Sequence, residues 1–313
     1  MIEIKENVSL AEHSTFRIGG PAKYFTVVKN ETEVKEALAW AKEKNVAYRV
    51  IGGGSNLLFS DAGYQALIVK YFGAELSINN DEVELSAGTP LALAVNKTLS
   101  ANLGGLEWAI GIPGTVGGAI VNNAGAYGGE MSQSVLSVKI LKEGIIEEIT
   151  NSDCEFAYRS SKFKGASDQG IILSVKLKLE KLPDNELTER KVILEKNLAD
   201  RLSKAPEGGS VGSTFRNIVL SEIEIKEFKN KFPDFPEQFV DYRKIPSAWL
   251  IEMAGLKGRK IGGAMVSEKH AGKITNVSGA TAEDIVMLVS VVKQKVRSKF
   301  SLQLMEEFEY VGF

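Results

Sequence analysis

The densest group of chemically informative residues is a run of nine glycines between Gly104 and Gly129, in the segment GGLEWAIGIPGTVGGAIVNNAGAYGG. Average glycine usage would place about two glycines in a segment of this length. Glycine is needed where φ is positive or where the main chain approaches a ligand closely. A pyrophosphate makes both demands, because consecutive main-chain N–H groups bind it in a concave turn. The run therefore indicates either a phosphate-binding loop or a set of tight turns in a β-rich domain.

A second glycine cluster, Gly52-Gly53-Gly54-Ser55-Asn56, follows a predicted strand. It is a candidate for a second contact to a phosphate or a ring, and a plain turn is the alternative. The sequence contains neither the G-x-x-x-x-G-K-[ST] pattern of a P-loop nor a G-x-G-x-x-G run after a strand. A dinucleotide bound by this chain would therefore need a fold other than those two.

Three polar residues outside the glycine segments could act on a substrate. Arg159 follows Tyr158 in AYRSSKFK, and the pattern alone predicts an exposed basic cluster. Ser213 lies in GGSVGSTFRN, where flanking glycines are typical of a hydroxyl presented into a cleft, although the G-x-S-x-G spacing of a hydrolase is absent. Glu307 lies in LMEEFEY, where strict alternation predicts a solvated carboxylate on the face opposite Leu304.

A mixture of strands and helices must position these residues. A strand at 24–28, a helix at 31–44 with Asn30 or Thr32 as its cap, and a strand at 47–51 form a β-α-β pattern. This pattern favours parallel or mixed pairing of strands. Further strands are predicted at 66–70, 82–87 and 135–142, with a helix at 91–102.

The second half of the chain reads as more helical. The charged segment 182–203 has leucine and isoleucine at helical spacing and is predicted to be a helix that links two domains. Segment 246–254 predicts a short helix, and 281–299 predicts a long one that begins with a capping box of Thr281 and Asp284. The closing segment FSLQLMEEFEYVGF is predicted to be a strand.

Composition and charge exclude several classes of protein. The 313 residues are 44% hydrophobic, which suffices for a large core. The net charge of −2 argues against a nucleic-acid partner. No secretory signal and no apolar run of roughly 20 residues are present, so we expect a cytoplasmic protein without membrane association. One cysteine, Cys154, and two histidines cannot make a Cys/His zinc site, so we expect no metal and an ordinary thiol. No sequence pattern gives the oligomeric state, and a monomer is the expectation.

Seven motifs occur in one order along the chain: STFRIGGPA, IGGGSNLL, GIPGTVGGAIVNNAGAYG, YRSSKFK, GSTFRN, AWLIEMAGLKG and IGGAMVSEKHAGKITN. Any one of them is modest evidence, and all seven in register are specific. From Leu10 to Gly312 the sequence closely resembles the UDP-N-acetylenolpyruvoylglucosamine reductase (MurB) family of flavoenzymes.

The resemblance implies an α+β fold. It has an FAD-binding domain of the vanillyl-alcohol oxidase (PCMH) type in two subdomains, 1–65 and 66–200. A C-terminal α+β substrate domain, 201–313, follows, and its final strand returns to the active site. Segment 15–20 is implied to lie near FAD. The residues implied to bind FAD are Gly52, Gly53, Gly54, Ser55, Asn56, Gly111, Pro113, Gly114, Gly117, Gly118, Asn122 and Gly125.

The resemblance also implies a reaction. NADPH reduces the flavin, and the reduced flavin reduces UDP-N-acetylglucosamine enolpyruvate to UDP-N-acetylmuramate in peptidoglycan synthesis. The partners are thus NADPH and a UDP-sugar. Arg159 matches the arginine that stabilises the enolate, Ser213 the serine that donates the proton, and Glu307 the glutamate that holds or polarises the intermediate.

Some positions depart from the family pattern. Arg216 stands where lysine is frequent, and Ile218 where proline is common. The segment between Arg159 and Ser213 lacks the tyrosine-bearing insertion of one subclass, so the chain resembles the loop-lacking subclass. Two alternatives remain: another FAD oxidoreductase or oxidase on the same scaffold, and a non-catalytic nucleotide-binding module.

Overall fold

A computed structural model describes residues 2–165 and 169–313 of the chain. They form two compact units, each built from segments that are separated in the sequence. The first unit comprises Met1–Ser9, Pro21–Ser55 and Gly63–Ser203. The second comprises Leu10–Gly20, Asn56–Ala62 and Lys204–Phe313. The three-part division at 65/66 and 200/201 stays a prediction, and no sequence pattern marks the two short N-terminal segments of the second unit.

The strands are mostly short. In chain order they are β1 (Lys5–Ser9), β2 (Pro21–Val28), β3 (Tyr48–Ile51), β4 (Leu57–Phe59), β5 (Tyr64–Tyr71), β6 (Leu76–Asn79), β7 (Glu82–Ser86), β8 (Leu103–Gly104), β9 (Gly125–Ala126), β10 (Gly129–Glu130), β11 (Val135–Lys142), β12 (Ile145–Thr150), β13 (Ile171–Lys178), β14 (Glu180–Lys181), β15 (Ile218–Val219), β16 (Lys244–Ile245), β17 (Lys260–Ile261), β18 (Ala264–Val266), β19 (Ile274–Asn276) and β20 (Glu309–Val311).

The α-helices, in the same order, are α1 (Glu31–Glu43), α2 (Leu91–Ser100), α3 (Val116–Val121), α4 (Asp184–Ser203), α5 (Glu222–Lys231), α6 (Glu237–Asp241), α7 (Ser247–Met253) and α8 (Ala282–Phe300). Short 3-10 helices lie at Leu10–His13, Glu107–Ala109, Met131–Gln133 and Ser152–Cys154. Within the described ranges, none of the helices combines the length and the apolar character needed to cross a bilayer.

A four-stranded mixed sheet in the order β1-β2-β5-β3 carries the first glycine cluster of the first unit. Strands β2 and β3 both run parallel to β5, as the β-α-β pattern predicts, and β1 runs antiparallel to β2. Asn30 caps α1, because its side chain accepts a hydrogen bond of 2.9 Å from the Glu33 N–H. The cluster Gly52–Ser55 begins where β3 ends, at the carboxyl edge of the parallel strands.

The second sheet of the first unit is antiparallel, in the order β12-β11-β13-β7-β6. Its central strands alternate as a half-buried sheet requires, with Val83 and Leu85 of β7 buried against Val175 and Leu177 of β13. Helices α2 and α3 lie in contact with each other, and α3 also contacts β7 and β13. This packing holds the long glycine-rich segment against the sheet.

Helix α4 covers the segment that the sequence assigns to a linking helix. None of its twenty residues is fully buried, which agrees with its charged composition. Leu194 and Leu198 pack partly buried against the core of the first unit, and α4 contacts the 3-10 helix Glu107–Ala109. The helix therefore belongs to the first unit and ends at the residue where that unit ends.

The second unit is built around α8. Its apolar face is fully buried, and Thr281 and Asp284 form the predicted capping box. Main-chain N–H groups, that of Gly263 first, hold the pKa of Asp284 below its usual value. Strands β17, β18 and β19 form a small antiparallel sheet, and β4 pairs in parallel with β20. The early segment Leu10–Gly20 adds Phe16, whose ring meets Phe308 edge-on at 5.8 Å.

Most predicted elements are confirmed to within a few residues, and one is wrong. The closing segment is a three-residue strand, β20, preceded by irregular chain with one isolated bridge at Glu306. The predicted alternation holds at Leu304 and Phe308, which are buried, but it is reversed at the end of the segment, where Tyr310 is exposed and Val311 is buried. Helices α3, α5 and α6 are not predicted by the sequence patterns.

Candidate flavin and substrate site

The two glycine segments of the first unit touch each other through their main chains. The Ser55 hydroxyl donates a hydrogen bond of 2.9 Å to the carbonyl of Pro113. A Cβ added at Gly53 would lie 2.9 Å from the Cα of Gly114, and one at Gly114 would lie 2.6 Å from the Ser55 Oγ. These glycines are required because the two loops approach more closely than side chains permit. The predicted cofactor residues of both loops are therefore brought together.

The first glycine loop offers unpaired donors. Within the described ranges, the main-chain N–H groups of Gly53, Gly54 and Ser55 donate no hydrogen bond to the protein. Gly54 has φ +66, so the loop turns through the left-handed region. Successive N–H groups in such a turn form a concave site for an anion. The loop thus suits an anion such as a phosphate, one of the two contacts for which the sequence makes this cluster a candidate.

The glycines of the second loop occupy different structural environments. Gly117 is buried, and a Cβ there would lie 2.8 Å from that of Ala87, so this glycine serves packing. Gly118 is exposed, with its N–H 3.4 Å from the Thr115 Oγ1 that caps α3. Gly111 has φ +71, and a Cβ there would lie 3.0 Å from the Cδ of Arg201. Cofactor contact at each of these glycines stays a prediction.

Arg159 lies in a tight turn against the last of these glycines. Its φ of +55 is in the left-handed region, and Ala157 and Ser160 exchange both main-chain hydrogen bonds around it. The guanidinium Nη2 donates to the carbonyl of Gly125 at 2.5 Å and the group lies 5.3 Å from the Tyr158 ring centre. Both side chains are half-buried, so the exposed basic cluster expected from the pattern alone is wrong. A positive φ in an arginine marks a conformation that the surroundings must impose.

Two asparagines brace this turn. Lys164 donates to the Asn122 Oδ1 and, at 3.1 Å, to the carbonyl of Arg159. Asn123 is buried, donates to the carbonyl of Ala157 at 3.1 Å and accepts from the Ser132 N–H at 3.0 Å. Of these two asparagines, only Asn122 is predicted from the sequence. Asn123 is the residue that ties the glycine-rich segment to the Arg159 turn, and its place in VNNAG beside the glycines was the available signal.

Arg201, in the last turn of α4, is a second cation of this region that sequence reasoning missed. Its guanidinium lies 5.1 Å from the Tyr127 ring centre, and the Tyr127 hydroxyl donates to Asp200 at 2.8 Å. Burial lowers the pKa of Arg201, and the positive charge of Arg159 lowers it further. Tyr127 and Asp200 act in the opposite direction and raise it. Its buried Nε has no hydrogen-bond partner within the described ranges. Nothing in the helical spacing of α4 distinguishes Arg201 from its other charged residues.

In the second unit, Ser213 is exposed at the end of a well-fixed turn. It follows Gly212, which has φ +79, and precedes Thr214, which is completely buried. The Thr214 N–H donates to the carbonyl of Gly272 at 2.8 Å, and its Oγ1 accepts from the Ile274 N–H at 2.8 Å. The hydroxyl of Ser213 therefore belongs to a main chain that is fixed at the next residue, Thr214.

Glu307 is brought next to this turn within the second unit. Its N–H donates to the carbonyl of Thr214 at 2.9 Å, and Phe215 and Glu306 form an isolated bridge. Glu307 is half-buried, which is less exposed than alternation predicts for a solvated carboxylate. Its neighbour Glu306 forms an ion pair with Lys293 at 3.0 Å. Ser213 and Glu307, 94 positions apart in the sequence, thus lie on directly bonded segments.

Two further residues of reactive types, Cys154 and His270, have ordinary environments. Cys154 is buried, which raises the pKa of its thiol to about 11 and keeps it protonated and unreactive. Burial, followed by the charge of Lys273, lowers the pKa of His270, whose Nδ1 accepts from the Gly272 N–H at 3.2 Å. No cluster of three metal-ligating side chains occurs among residues 2–165 and 169–313.

Comparison with known proteins agrees with this arrangement. Residues 22–147 match the family model of an FAD binding domain, and residues 203–311 match that of the UDP-N-acetylenolpyruvoylglucosamine reductase C-terminal domain. The chain is 37% identical to the UDP-N-acetylenolpyruvoylglucosamine reductase of Parasynechococcus marenigrum (strain WH8102), over 100% of this chain and 97% of that protein. The chain belongs to the UDP-N-acetylenolpyruvoylglucosamine reductase family. This finding confirms the resemblance read from the seven motifs.

Other members of the reductase family support the assignment over the full length. The enzyme of that name from Anoxybacillus flavithermus (strain DSM 21510 / WK1) is 36% identical over 99% of this chain and 94% of that protein. The crystal structure of UDP-N-acetylenolpyruvylglucosamine reductase (MurB) from Thermus caldophilus matches with a TM-score of 0.76 at 29% identity, covering 99% of this chain and 100% of that one. The predicted fold class, an α+β FAD-binding domain followed by a C-terminal domain, is confirmed.

Proposed function

We propose that the chain uses FAD and NADPH to reduce UDP-N-acetylglucosamine enolpyruvate to UDP-N-acetylmuramate, in the cytoplasmic part of peptidoglycan synthesis. The observation that supports this best is the 37% identity, over the full length, to a reductase named for this substrate. The FAD binding domain match over residues 22–147 and the paired glycine loops support the cofactor. FAD, once bound and reduced, supplies the hydride that adds to the terminal carbon of the enolpyruvyl group.

Gly52–Ser55 and Gly111–Gly118 are the segments that would hold the cofactor. The unpaired N–H groups of Gly53, Gly54 and Ser55 suit a phosphate, since they are successive donors in one turn. The Ser55–Pro113 hydrogen bond keeps the two loops in contact. Asn122 and Gly125 complete the proposed cofactor set.

Arg159 is proposed to stabilise charge on the substrate. When hydride reaches the terminal carbon, negative charge develops on the neighbouring carbon and spreads into its carboxylate. A guanidinium presents several donors in one plane, which suits a carboxylate with enolate character. The Nη2 bond to Gly125 fixes one edge of the guanidinium, so little reorganisation is needed as the charge develops.

Ser213 is proposed to donate the proton that completes the reduction. The hydride and this proton add across the double bond, and NADPH becomes NADP⁺ earlier, in the first half-reaction. A serine hydroxyl is a weak acid, but the carbanion that accepts its proton is a strong base. Burial and hydrogen bonding of Thr214 fix the main chain on the C-terminal side of Ser213, which limits the movement of the hydroxyl. Glu307 is proposed to hold or polarise the intermediate.

The test separates the two half-reactions in the holoenzyme. Under anaerobic conditions, NADPH should bleach the flavin absorbance band, and the enolpyruvyl sugar nucleotide should restore it. Ser213→Ala should keep FAD and the first half-reaction and slow the second by roughly 10²- to 10⁴-fold. Ser210→Ala, which removes a hydroxyl from the same loop, is the matched control and should behave as the wild type.

Two results would contradict the proposal. A reduced wild-type enzyme that the sugar nucleotide fails to reoxidise would exclude this substrate, and fast reoxidation by oxygen with an alcohol as reductant would indicate another flavin oxidase. A wild-type second half-reaction in Ser213→Ala would remove Ser213 from the mechanism. A protein that takes up no FAD would favour a binding module without redox activity.

A further inference from the structure

The segment that carries Glu307 has little regular structure of its own. Residues 302–308 contain only the isolated bridge at Glu306, and strand β20 begins at Glu309. A glutamate with a defined role in such a segment needs its main chain to be held by other means. The hydrogen bonds of the second unit show which residues do so.

Both peptide groups of Glu307 are engaged. Its N–H donates to the carbonyl of Thr214 at 2.9 Å, beside Ser213. Its carbonyl accepts from the Asn56 side-chain Nδ2 at 3.2 Å. Two residues later, the Glu309 N–H donates to the Asn56 carbonyl at 2.9 Å. Asn56 therefore holds the chain from both sides of Phe308, with its amide on one side and its own carbonyl on the other.

Asn56 is itself well anchored. It precedes β4, whose Leu58 and Phe59 are completely buried, and β4 pairs in parallel with β20 so that Leu57 lies beside Glu309. Asn56 is half-buried, so its bond to Glu307 is partly shielded from water. A short amide side chain immediately before a buried strand has few rotamers with which to leave this position.

We infer that Asn56 is a positioning residue that fixes Glu307 relative to Ser213. The inference rests on the proposed function, because it gives Glu307 a role in the second half-reaction. Asn56 is predicted from its motif to contact the cofactor, and the structure gives its side chain a partner on the Glu307 main chain instead. Without the Nδ2 donor, the Glu307 peptide loses one of the hydrogen bonds that fix it, and its carboxylate samples a wider range of positions.

The experiment uses the holoenzyme and two substitutions. Asn56→Ala removes the donor, and Asn56→Asp replaces it with an acceptor that repels the Glu307 carbonyl. Both substitutions should lower the limiting rate of the second half-reaction, measured per bound flavin, about 10- to 100-fold, because misplacing a catalytic group has an effect of this size. The rate of the first half-reaction and the apparent KM for the sugar nucleotide should change less than about twofold. Asn96→Asp is the control, because the Asn96 amide also donates to a main-chain carbonyl, that of Ala92 at 2.8 Å, on surface helix α2.

Two further measurements separate positioning from a general structural role. In a Glu307→Gln background, Asn56→Ala should lower the second half-reaction less than about twofold, because residues that act as a unit are not additive. Amide hydrogen exchange in the peptide 304–311 should be faster in Asn56→Ala than in the wild type, with other peptides unchanged. This measurement needs no turnover.

The outcomes that overturn the inference are distinct from failure of the proposed function. If the wild type is not reoxidised by the sugar nucleotide, the proposed function fails, and unchanged exchange in 304–311 then overturns the positioning as well. If the wild type turns over, the inference is overturned by wild-type rates in both Asn56 variants, by loss of FAD from them, or by fully additive effects with Glu307→Gln.

Discussion

The contact between the two glycine loops can be tested by adding one methyl group. Gly53→Ala places a Cβ at 2.9 Å from the Cα of Gly114, a separation that real Cβ atoms do not show. The neighbour is main chain, so it cannot yield by a side-chain rotation. The φ of Gly53 is not in the left-handed region, so the added cost is steric. We expect the two loops to separate by a few tenths of an ångström or more.

The size of the effect follows from the cost of overpacking. Inserting a methyl group into a well-packed contact typically costs about 1–3 kcal/mol. If FAD requires the loops in contact, this cost appears in the binding free energy of FAD. Since 1.4 kcal/mol corresponds to a factor of ten, FAD should bind roughly 5- to 150-fold more weakly. Without FAD the loops can separate, so the stability of the apoprotein should fall by less.

The assay is titration of the apoprotein with FAD, followed by flavin fluorescence, beside thermal unfolding with and without FAD. Gly144→Ala is the control, because Gly144 has φ +84 in the β11–β12 hairpin and a Cβ there meets nothing within 4 Å. That change should cost about 1 kcal/mol of stability through backbone strain and leave FAD affinity unchanged. Wild-type FAD affinity in Gly53→Ala would refute the argument that the loop contact forms the cofactor site.

Two other expectations concern charge. Arg159→Lys keeps the charge but loses the planar donor set and the Nη2 bond to Gly125. The second half-reaction should therefore slow about 100-fold, while NADPH still bleaches the flavin. A second half-reaction as fast as that of the wild type would contradict the proposed role of Arg159 toward the enolate. His270 has a pKa below 6.5 in the folded chain, so its contribution to stability is complete above that pH and is lost as the pH falls toward the folded pKa. His270→Gln should therefore lose less stability than the wild type between about pH 7 and pH 5 in urea unfolding, and identical pH profiles would contradict this.

Local patterns predict the helices and the parallel strands well, because they depend on nearby residues. The capping box of α8, the Asn30 cap of α1 and the buried face of α8 all follow from spacing along the chain. The closing strand is predicted wrongly because alternation in LQLMEEFEY competes with contacts from distant residues. The bonds from Asn56 and Thr214 to Glu307, and the Lys293–Glu306 ion pair, fix that segment in an irregular form.

The sequence predicts which residues belong to the site better than it predicts which residues they contact. The glycine run indicates close main-chain approach, and the structure supplies it at Gly53 and Gly114. The motif does not distinguish a glycine that packs on a neighbour, such as Gly117, from one that faces a ligand. Arg201 was missed because its meaning depends on Tyr127 and Arg159, which lie 74 and 42 positions away and share no local pattern with α4.

The motif IGGGSN shows why partners cannot be read from spacing. Ser55 belongs to the first unit and bonds to Pro113, 58 residues later, whereas Asn56 belongs to the second unit and bonds to Glu307, 251 residues later. The two neighbours have similar small polar side chains, and the sequence assigns both to one ligand. Their folding environments differ because the chain passes from one unit to the other between them. A motif that occurs at such a junction can hold a cofactor with its first half and position a residue of the mechanism with its second.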